Sequence, residues 1–296
     1  MGKSKANNLP MIFLYMPILS IMAGCVPALF RAHPQLQEKV TSIKTVAIMP
    51  PSVRVYQLSA GGDTQLMDDL TAAATQHVAK VIEERLKGHA GFVFTPFPSP
   101  SAIPGSSSDL AAAGLKDELE DTQALFEAVS TSVLVHTYEP KVRDAPDQRF
   151  PEKLKNFDYS LGPDVERLAQ LANANALLFV SGIDNISTGG RKGLIFLEAL
   201  IFSPVLLHPL GALSYAMYMA SRAGRAILSV AMVDATTGAL LWYNVVGLQG
   251  GGYSLTDPHS ATDLTVQAFE DFPVGGRPTR NDYDRSGSPR LGGALQ

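Results

Sequence analysis

The spacing of hydrophobic and polar positions predicts that short strands alternate with amphipathic helices in the first half of the chain. Residues 44–51 form an apolar, β-branched run that ends in two prolines, a pattern typical of a strand buried on both faces. From 66 to 86, apolar side chains recur every three or four positions, which predicts a helix capped by Asp63 or Thr64. A second strand is predicted at 91–97, and its proline either ends it or places it at a sheet edge.

Beyond residue 114, the pattern predicts a further helix and three strands. Buried strands at 176–183 and 226–233 carry apolar residues for both faces of a sheet. Turn residues at 234–238 return the chain as a strand at 239–246, so the last two strands are predicted to form a hairpin. The helix predicted at 115–135 directs four side chains inward, those of Leu119, Leu125, Phe126 and Val129.

Three shorter signals complete this pattern. The charged, proline-containing stretch at 138–161 predicts a surface excursion, and Pro163 begins a short helix. Asp257 and Pro258 suit the N-cap and N1 positions of a last helix that ends at Pro273. The order of elements predicts an α/β (α+β) fold, in which helices pack on a mixed β-sheet.

The N-terminal residues have the pattern of an export signal. Two lysines precede an apolar run at 11–21, which is shorter than the roughly 20 residues that a membrane span needs. The string Met-Ala-Gly-Cys at 22–25 resembles the lipobox of bacterial lipoproteins. That resemblance implies cleavage before Cys25, acylation of its thiol and new amine, and, because Val26 is not aspartate, sorting to the outer membrane. The alternative is an uncleaved N-terminal anchor helix.

The predicted domain organisation follows from these signals. Residues 1–24 are a signal peptide, and 25–41, which contain two prolines and no clear period, are a tether. One periplasmic α/β domain spans 42–275 and contains an insertion at about 188–224. The Gly- and Arg-rich residues 276–296 are predicted to be a disordered tail.

The insertion contains a long apolar segment at 193–220, in which only Glu198 and His208 can ionise. It is long enough to span a membrane, but Pro204 and Pro209 break it near the middle, which predicts an apolar helical hairpin that enters and leaves on one side. Three interpretations remain open: packing on the domain's own core, a dip into the membrane between basic flanks, and a subunit contact. The candidate membrane or oligomer contacts are Leu194, Phe196, Leu197, Phe202, Leu206, Leu207, Tyr215 and Tyr218.

Composition and charge exclude several classes of function. Of the 296 residues, 46% are hydrophobic, so the chain can bury a core and is not mainly disordered. Its 24 basic and 28 acidic residues give a net charge of −4, which excludes a basic nucleic-acid-binding protein. Because there is one cysteine, neither a disulfide nor a cysteine-based zinc site can form within one chain. The six histidines lack metal-ligand spacing, so no metal and no cofactor are predicted.

The search for catalytic chemistry finds neither a metalloprotease, nor a nucleophile-elbow, nor a Walker A string. Asp184 follows a buried strand, where an active-site acid can lie, with Asn185 and Ser187 beside it; the alternative is an Asx-type turn. Trp242, the single tryptophan, is predicted to lie in the core. Acidic residues on the predicted helices are expected to face solvent. The chain is therefore predicted to have no catalytic residue and not to be an enzyme.

Three short motifs resemble a periplasmic domain of bacterial envelope proteins. They are Val-Ala-Ile-Met-Pro-Pro at 46–51, Ala-Asn-Ala-Leu-Leu-Phe-Val-Ser-Gly at 174–182, and Val-Asp-Ala-Thr-Thr-Gly at 233–238, followed by Trp242. Together with the lipobox, their order is similar to that in the domain shared by the curli secretion channel CsgG, the penicillin-binding-protein activator LpoB and the N-terminal domain of TolB. The resemblance covers about 42–273 and implies fold more than function.

The lipobox, the mixed α/β domain, the apolar insertion and the missing catalytic motifs together predict a non-enzymatic, lipid-anchored periplasmic protein of the cell envelope, which acts through protein contacts in envelope assembly or transport. Its expected partners are the membrane, through the N-terminal lipid, and envelope proteins; a homo-oligomer is compatible with the sequence. The alternative is a component of an oligomeric outer-membrane secretion or export channel. Channels of the CsgG type cross the membrane with hairpins of alternating polarity, whereas 193–220 is continuously apolar.

Overall fold

The computed structural model describes residues 30–89, 91–99, 109–138, 152–153, 156–188, 225–247 and 253–273. Within them, eight strands form one sheet: β1 Arg31–Ala32, β2 Thr45–Ile48, β3 Ser52–Leu58, β4 Thr64–Leu66, β5 Val93–Pro96, β6 Ala176–Ser187, β7 Arg225–Asp234 and β8 Leu240–Val246. Five helices accompany them: α1 Leu36–Ser42, α2 Asp68–Leu86, α3 Asp109–Tyr138, α4 Val165–Leu171 and α5 Pro258–Ala268. The predicted N-terminal signal, apolar helical hairpin and C-terminal tail lie outside the described residues.

The sheet is mixed and is centred on β6, its longest strand. Its main order is β1-β8-β7-β6-β2-β5, where β6, β7 and β8 are antiparallel neighbours and β2 is parallel to β6 and to β5. β2 pairs only with the first residues of β6. Further along the same edge, β6 pairs in parallel with β3, and β4 is antiparallel to β3. Both the predicted mixed sheet and the hairpin of β7 and β8 are confirmed, and β5 lies at an edge as its proline predicts.

The two consecutive prolines interrupt a strand and do not end it. Ile48 pairs with Leu178 and Ser52 pairs with Ser181, so residues 49–51 lie opposite 179–180 as a bulge. Proline cannot donate to the ladder, but its backbone angles fit an extended chain, and β3 resumes beyond the bulge. β3 was not predicted from the sequence. Its alternating buried and more exposed side chains follow directly on two prolines, which indicate the end of a strand.

Helices cover both faces of the sheet. On one face, here called the α2 face, α1, α2 and α5 pack on apolar side chains that include Leu178 and Val180 of β6. On the other, the α3 face, α3 and α4 pack on the alternate side chains, among them Leu177 and Phe179. Successive side chains of a strand point to opposite faces, so a strand that is apolar at every position identifies a sheet buried on both sides.

The folded domain begins earlier than the sequence predicts. Residues 30–41, which the sequence assigns to the tether, contain β1 and all but the last residue of α1. β1 pairs with β8, and Leu36 and Val40 of α1 are 2% and 3% exposed in the core of the α2 face. The pattern was missed because α1 has only two turns, and these bury only two side chains.

Two helix predictions need correction in detail. The helix predicted to be capped by Asp63 or Thr64 begins at Asp68, because the preceding residues form β4 and leave Leu66 exposed. In α3, Phe126 is fully buried against Phe179, but Leu125 is 42% exposed and was wrongly predicted to point inward. Leu119 and Val129 are partly buried on the α3 face.

The end of the predicted surface excursion also belongs to the core. Phe157 and Leu161 are buried, and the backbone N–H groups of Leu161 and Leu240 donate to the carbonyls of Gly238 and Tyr159, both over 2.8 Å. At the other end of the sequence, Asp257 caps α5 as predicted.

Candidate functional site

One end of the sheet carries most of the features that the sequence singles out. It is formed by the carboxyl ends of β3, β6 and β8 and the amino end of β7, at Leu58, Ser187, Val246 and Arg225. The segment that contains the apolar residues 193–220 leaves the described structure here, so we call it the exit end.

The two strands that flank this segment are direct neighbours. β6 and β7 pair over ten positions, from Ala176 with Asp234 to Asn185 with Arg225. Beyond this ladder, the Thr188 N–H donates to the Leu58 carbonyl over 3.0 Å and holds the chain on β3. The chain therefore leaves the sheet and returns to it at adjacent positions, which agrees with the prediction that the two flanking strands are partners in one sheet.

Asp184 is the buried acid of the exit end. Its side chain is on the α2 face, the residue is 1% exposed, and its Oδ2 accepts hydrogen bonds from the Ser254 hydroxyl over 2.6 Å and from the Leu255 N–H over 2.7 Å. The Ser254 hydroxyl oxygen also accepts a hydrogen bond from the Thr256 N–H. Asp184 thus connects the loop before α5 to β6, the central strand of the sheet.

These contacts exclude the Asx-type turn that the sequence offered as one role for Asp184. It lies within β6, and it bonds to residues 70 and 71 positions later, so it does not form an Asx-type turn. Burial raises its pKa, and the hydrogen bonds from Ser254 and Leu255 offset only part of this effect. Its Oδ1 atom is buried and has no partner among the described residues. The contacts made by Oδ2 are those of a structural acceptor.

The local turn that sequence reasoning assigned to Asp184 is found at Asp234, at the other end of β7. Its Oδ1 accepts hydrogen bonds from the backbone N–H groups of Thr236 and Thr237 over 3.0 and 2.9 Å, and from both hydroxyls. Its Oδ2 accepts from the Lys39 ammonium over 3.1 Å. Burial raises the pKa of Asp234, but these hydrogen bonds lower it more, to about 2.

Near the exit end, the helices that the structure describes leave part of the α3 face of the sheet uncovered. Arg54, Ile183 and Ile227 lie side by side on β3, β6 and β7, and Ile183 is 43% exposed. Arg54 forms an ion pair with Glu127 of α3 over 3.0 Å, which marks the border of the covered region. Leu66 on β4 is 45% exposed. This uncovered strip combines apolar and basic side chains.

The other candidate residues take structural positions. Trp242 is fully buried, with its ring centroid 5.0 Å from that of Phe272, so the prediction that it lies in the core is confirmed. Acidic residues on α2, such as Asp69 and Glu84, face solvent. In the part of the chain that the structure describes, no three histidine, cysteine or acidic side chains are grouped to hold a metal ion.

Sequence reasoning missed the partners of Asp184. Ser254 and Leu255 belong to the sequence Ser-Leu-Thr-Asp just before α5. From the sequence alone, these residues indicated only that a helix N-cap follows. No spacing rule connects them to a strand 70 residues earlier. Cys25 and the eight predicted membrane or oligomer contacts lie outside the described residues.

None of the helices described by the structure is both long and apolar enough to cross a membrane. Comparisons of the chain with protein-family models, with curated proteins and with solved structures find no match.

Proposed function

We propose that this chain is a lipid-anchored protein of the bacterial cell envelope, acylated at Cys25, that acts through contacts with other envelope proteins and not by catalysis. Its location in this proposal is the periplasmic face of the outer membrane. The proposal rests on the lipobox-like string at 22–25 and on its position relative to the folded domain.

The position of Cys25 is the observation that carries the proposal. Phe30 is 8% exposed and belongs to the core of the α2 face, only five residues after Cys25. An extended chain covers at most about 3.3–3.6 Å per residue, so the Cα atoms of Cys25 and Phe30 can be no more than roughly 18 Å apart. A lipid on Cys25 would therefore hold the domain directly against a membrane surface.

The chemistry of the exit end supports action by binding. Asp184, which lies within β6 at this end, uses one oxygen to hold the loop before α5, and Asp234, at the opposite end of the sheet, uses both oxygens to hold a turn and α1. Each carboxylate is engaged in structure where it lies. The apolar segment and the uncovered strip at the exit end are instead the features that suit contact with lipid or protein.

Acylation is tested by the Cys25→Ala variant. We expect the wild-type chain to incorporate a labelled fatty acid and to show the mass of a signal-cleaved protein with a diacylglyceryl group on the Cys25 thiol and an acyl chain on its amine, and Cys25→Ala to lose both. The matched control is Val26→Ala, which keeps the cysteine and leaves labelling intact. Labelling that persists in Cys25→Ala would refute the anchor.

The second candidate is an oligomeric export component whose segment 193–220 contacts the membrane or other subunits. It is favoured by the β6–β7 register, because a segment inserted between neighbouring strands can project from the sheet without disturbing it. Deleting 191–222 leaves 188–190 and 223–224, a five-residue connection of ordinary hairpin length. Light scattering of the detergent-extracted protein should show a defined ring that dissociates on deletion. A monomer that is unchanged by the deletion would exclude this candidate.

A further inference from the structure

The first strand of the domain shows the direction from which the chain arrives. Arg31 pairs with Tyr243 and Ala32 pairs with Trp242, so β1 is antiparallel to β8. Followed backwards from Ala32 to Phe30, the chain therefore runs toward Val246, the carboxyl end of β8. Val246 in turn pairs beside Leu228, near the start of β7. Phe30, the first described residue, thus lies on the side of β1 that faces the exit end.

The apolar segment is attached at that same end. Its flanking residues Thr188 and Arg225 are held on β3 and β6, respectively. The chain between them contains 193–220, in which only Glu198 and His208 can ionise. Two hydrophobic attachments, a lipid on Cys25 and this segment, would therefore emerge from one end of a sheet whose longest strand is about 36 Å long at about 3.3 Å per residue.

We propose that the exit end of the domain faces the bilayer that holds the lipid of Cys25, with β6 directed toward the membrane and the β7–β8 turn directed away from it. This inference rests on the proposed function, because it takes Cys25 as acylated. The opposite orientation would require the chain before Phe30 to reverse its direction within five residues.

The proposed contact is with the apolar interior of the bilayer. Among the described residues at the exit end, the exposed charges include Arg225 but also Asp63 and Asp257, so this part of the surface has no basic excess. Covalent lipid and apolar contact are worth about 0.8 kcal/mol per buried CH₂, which needs no anionic lipid. The appropriate probe is a phosphatidylcholine vesicle.

The orientation can be measured with single thiol-attached dyes on the full, lipidated chain. Cys25 is the only cysteine, and acylation consumes its thiol, so an introduced cysteine is the only site that a thiol-reactive dye can modify. Ala60→Cys lies in the exposed β3–β4 turn at the exit end, and Thr41→Cys lies at the exposed end of α1 next to the start of β2, at the opposite end. The acceptor dye is carried on vesicle head groups.

We expect energy transfer to the vesicle surface to be at least about twofold greater from position 60 than from position 41, given the length of the sheet between them. Equal transfer, as for a domain lying on its side, or greater transfer from position 41, would overturn the inference. The pair Asp63→Cys and Ser42→Cys repeats the comparison, so that one misfolded variant does not decide the result.

The mass of the purified wild-type chain distinguishes failure of the proposed orientation from failure of the proposed function. A chain that carries its lipid but shows equal or reversed transfer contradicts the orientation alone. A chain without lipid mass, whose Cys25 thiol reacts with the dye, contradicts both the anchor and the orientation that depends on it.

Discussion

Removing the charge of Asp234 tests how much one turn contributes to the stability of the domain. The Asp234 carboxylate closes the turn between β7 and β8 through Thr236 and Thr237, and it forms an ion pair with Lys39 of α1. Asp234→Asn keeps the size of the side chain and one acceptor oxygen, but it removes the charge. The turn and the attachment of α1 should both weaken.

The magnitude follows from the pKa of Asp234, which hydrogen bonds lower from 3.8 to about 2 despite its burial. A difference of this size corresponds to about 2 kcal/mol of unfolding free energy at neutral pH. The Lys39 side chain is 30% exposed, so solvent and salt screen part of the attraction. We therefore expect Asp234→Asn to lose about 1–2 kcal/mol at pH 7.

The pH dependence gives the sign of the effect. Because the pKa of Asp234 is lower in the folded state, its contribution is fully present above about pH 4 and is lost as the pH falls toward 2. Urea unfolding of the wild type and of Asp234→Asn at pH 7, 5 and 3 measures this. The difference between the two proteins should be equal at pH 7 and 5 and about half as large at pH 3.

The control is Glu38→Gln, which removes an exposed carboxylate from the same helix as Lys39 and should change stability by less than about 0.5 kcal/mol. A double-mutant cycle with Lys39→Met isolates the ion pair from the turn. The reasoning is refuted if Asp234→Asn is as stable as the wild type at pH 7, or if its loss is the same at pH 7 and pH 3.

Two further pairs of substitutions test the assignments of buried side chains. Asp184→Ala should cost about 1–3 kcal/mol in urea unfolding at pH 7, because the Leu255 N–H and the Ser254 hydroxyl lose their acceptor, whereas Asp184→Asn keeps an acceptor and should cost less. Burial raises the pKa of Asp184, so the wild type loses stability as the pH rises above about 4, and Asp184→Asn does not. If Asp184→Ala and Asp184→Asn lost the same unfolding free energy at pH 7, the role of Asp184 as an acceptor would be contradicted. Phe126→Ala should cost about 3–5 kcal/mol in thermal or urea unfolding, and its neighbour Leu125→Ala, which is 42% exposed, less than about 1 kcal/mol; similar losses would contradict the assigned face of α3.

Local sequence signals determined the elements whose physics is local. The hairpin of β7 and β8 follows from two apolar runs around an Asp-Ala-Thr-Thr-Gly turn, and the start of α5 follows from Asp257 and Pro258. The fold class follows from strands that are apolar at every position, because only a sheet covered on both faces can bury them. The proposed location of the protein likewise rests on contiguous residues, those at 22–25.

Tertiary structure alone decided the features that join distant parts of the chain. β3 continues β2 across two prolines because β6 supplies an edge on which both can pair, and α1 is ordered because the sheet offers it a surface. Ser254 reaches Asp184 across 70 residues, and Leu125 faces solvent while Phe126 is buried, because the sheet selects one side of α3. Such choices depend on which surfaces meet, and a pattern of side-chain spacing carries no information about a partner that lies far away in sequence.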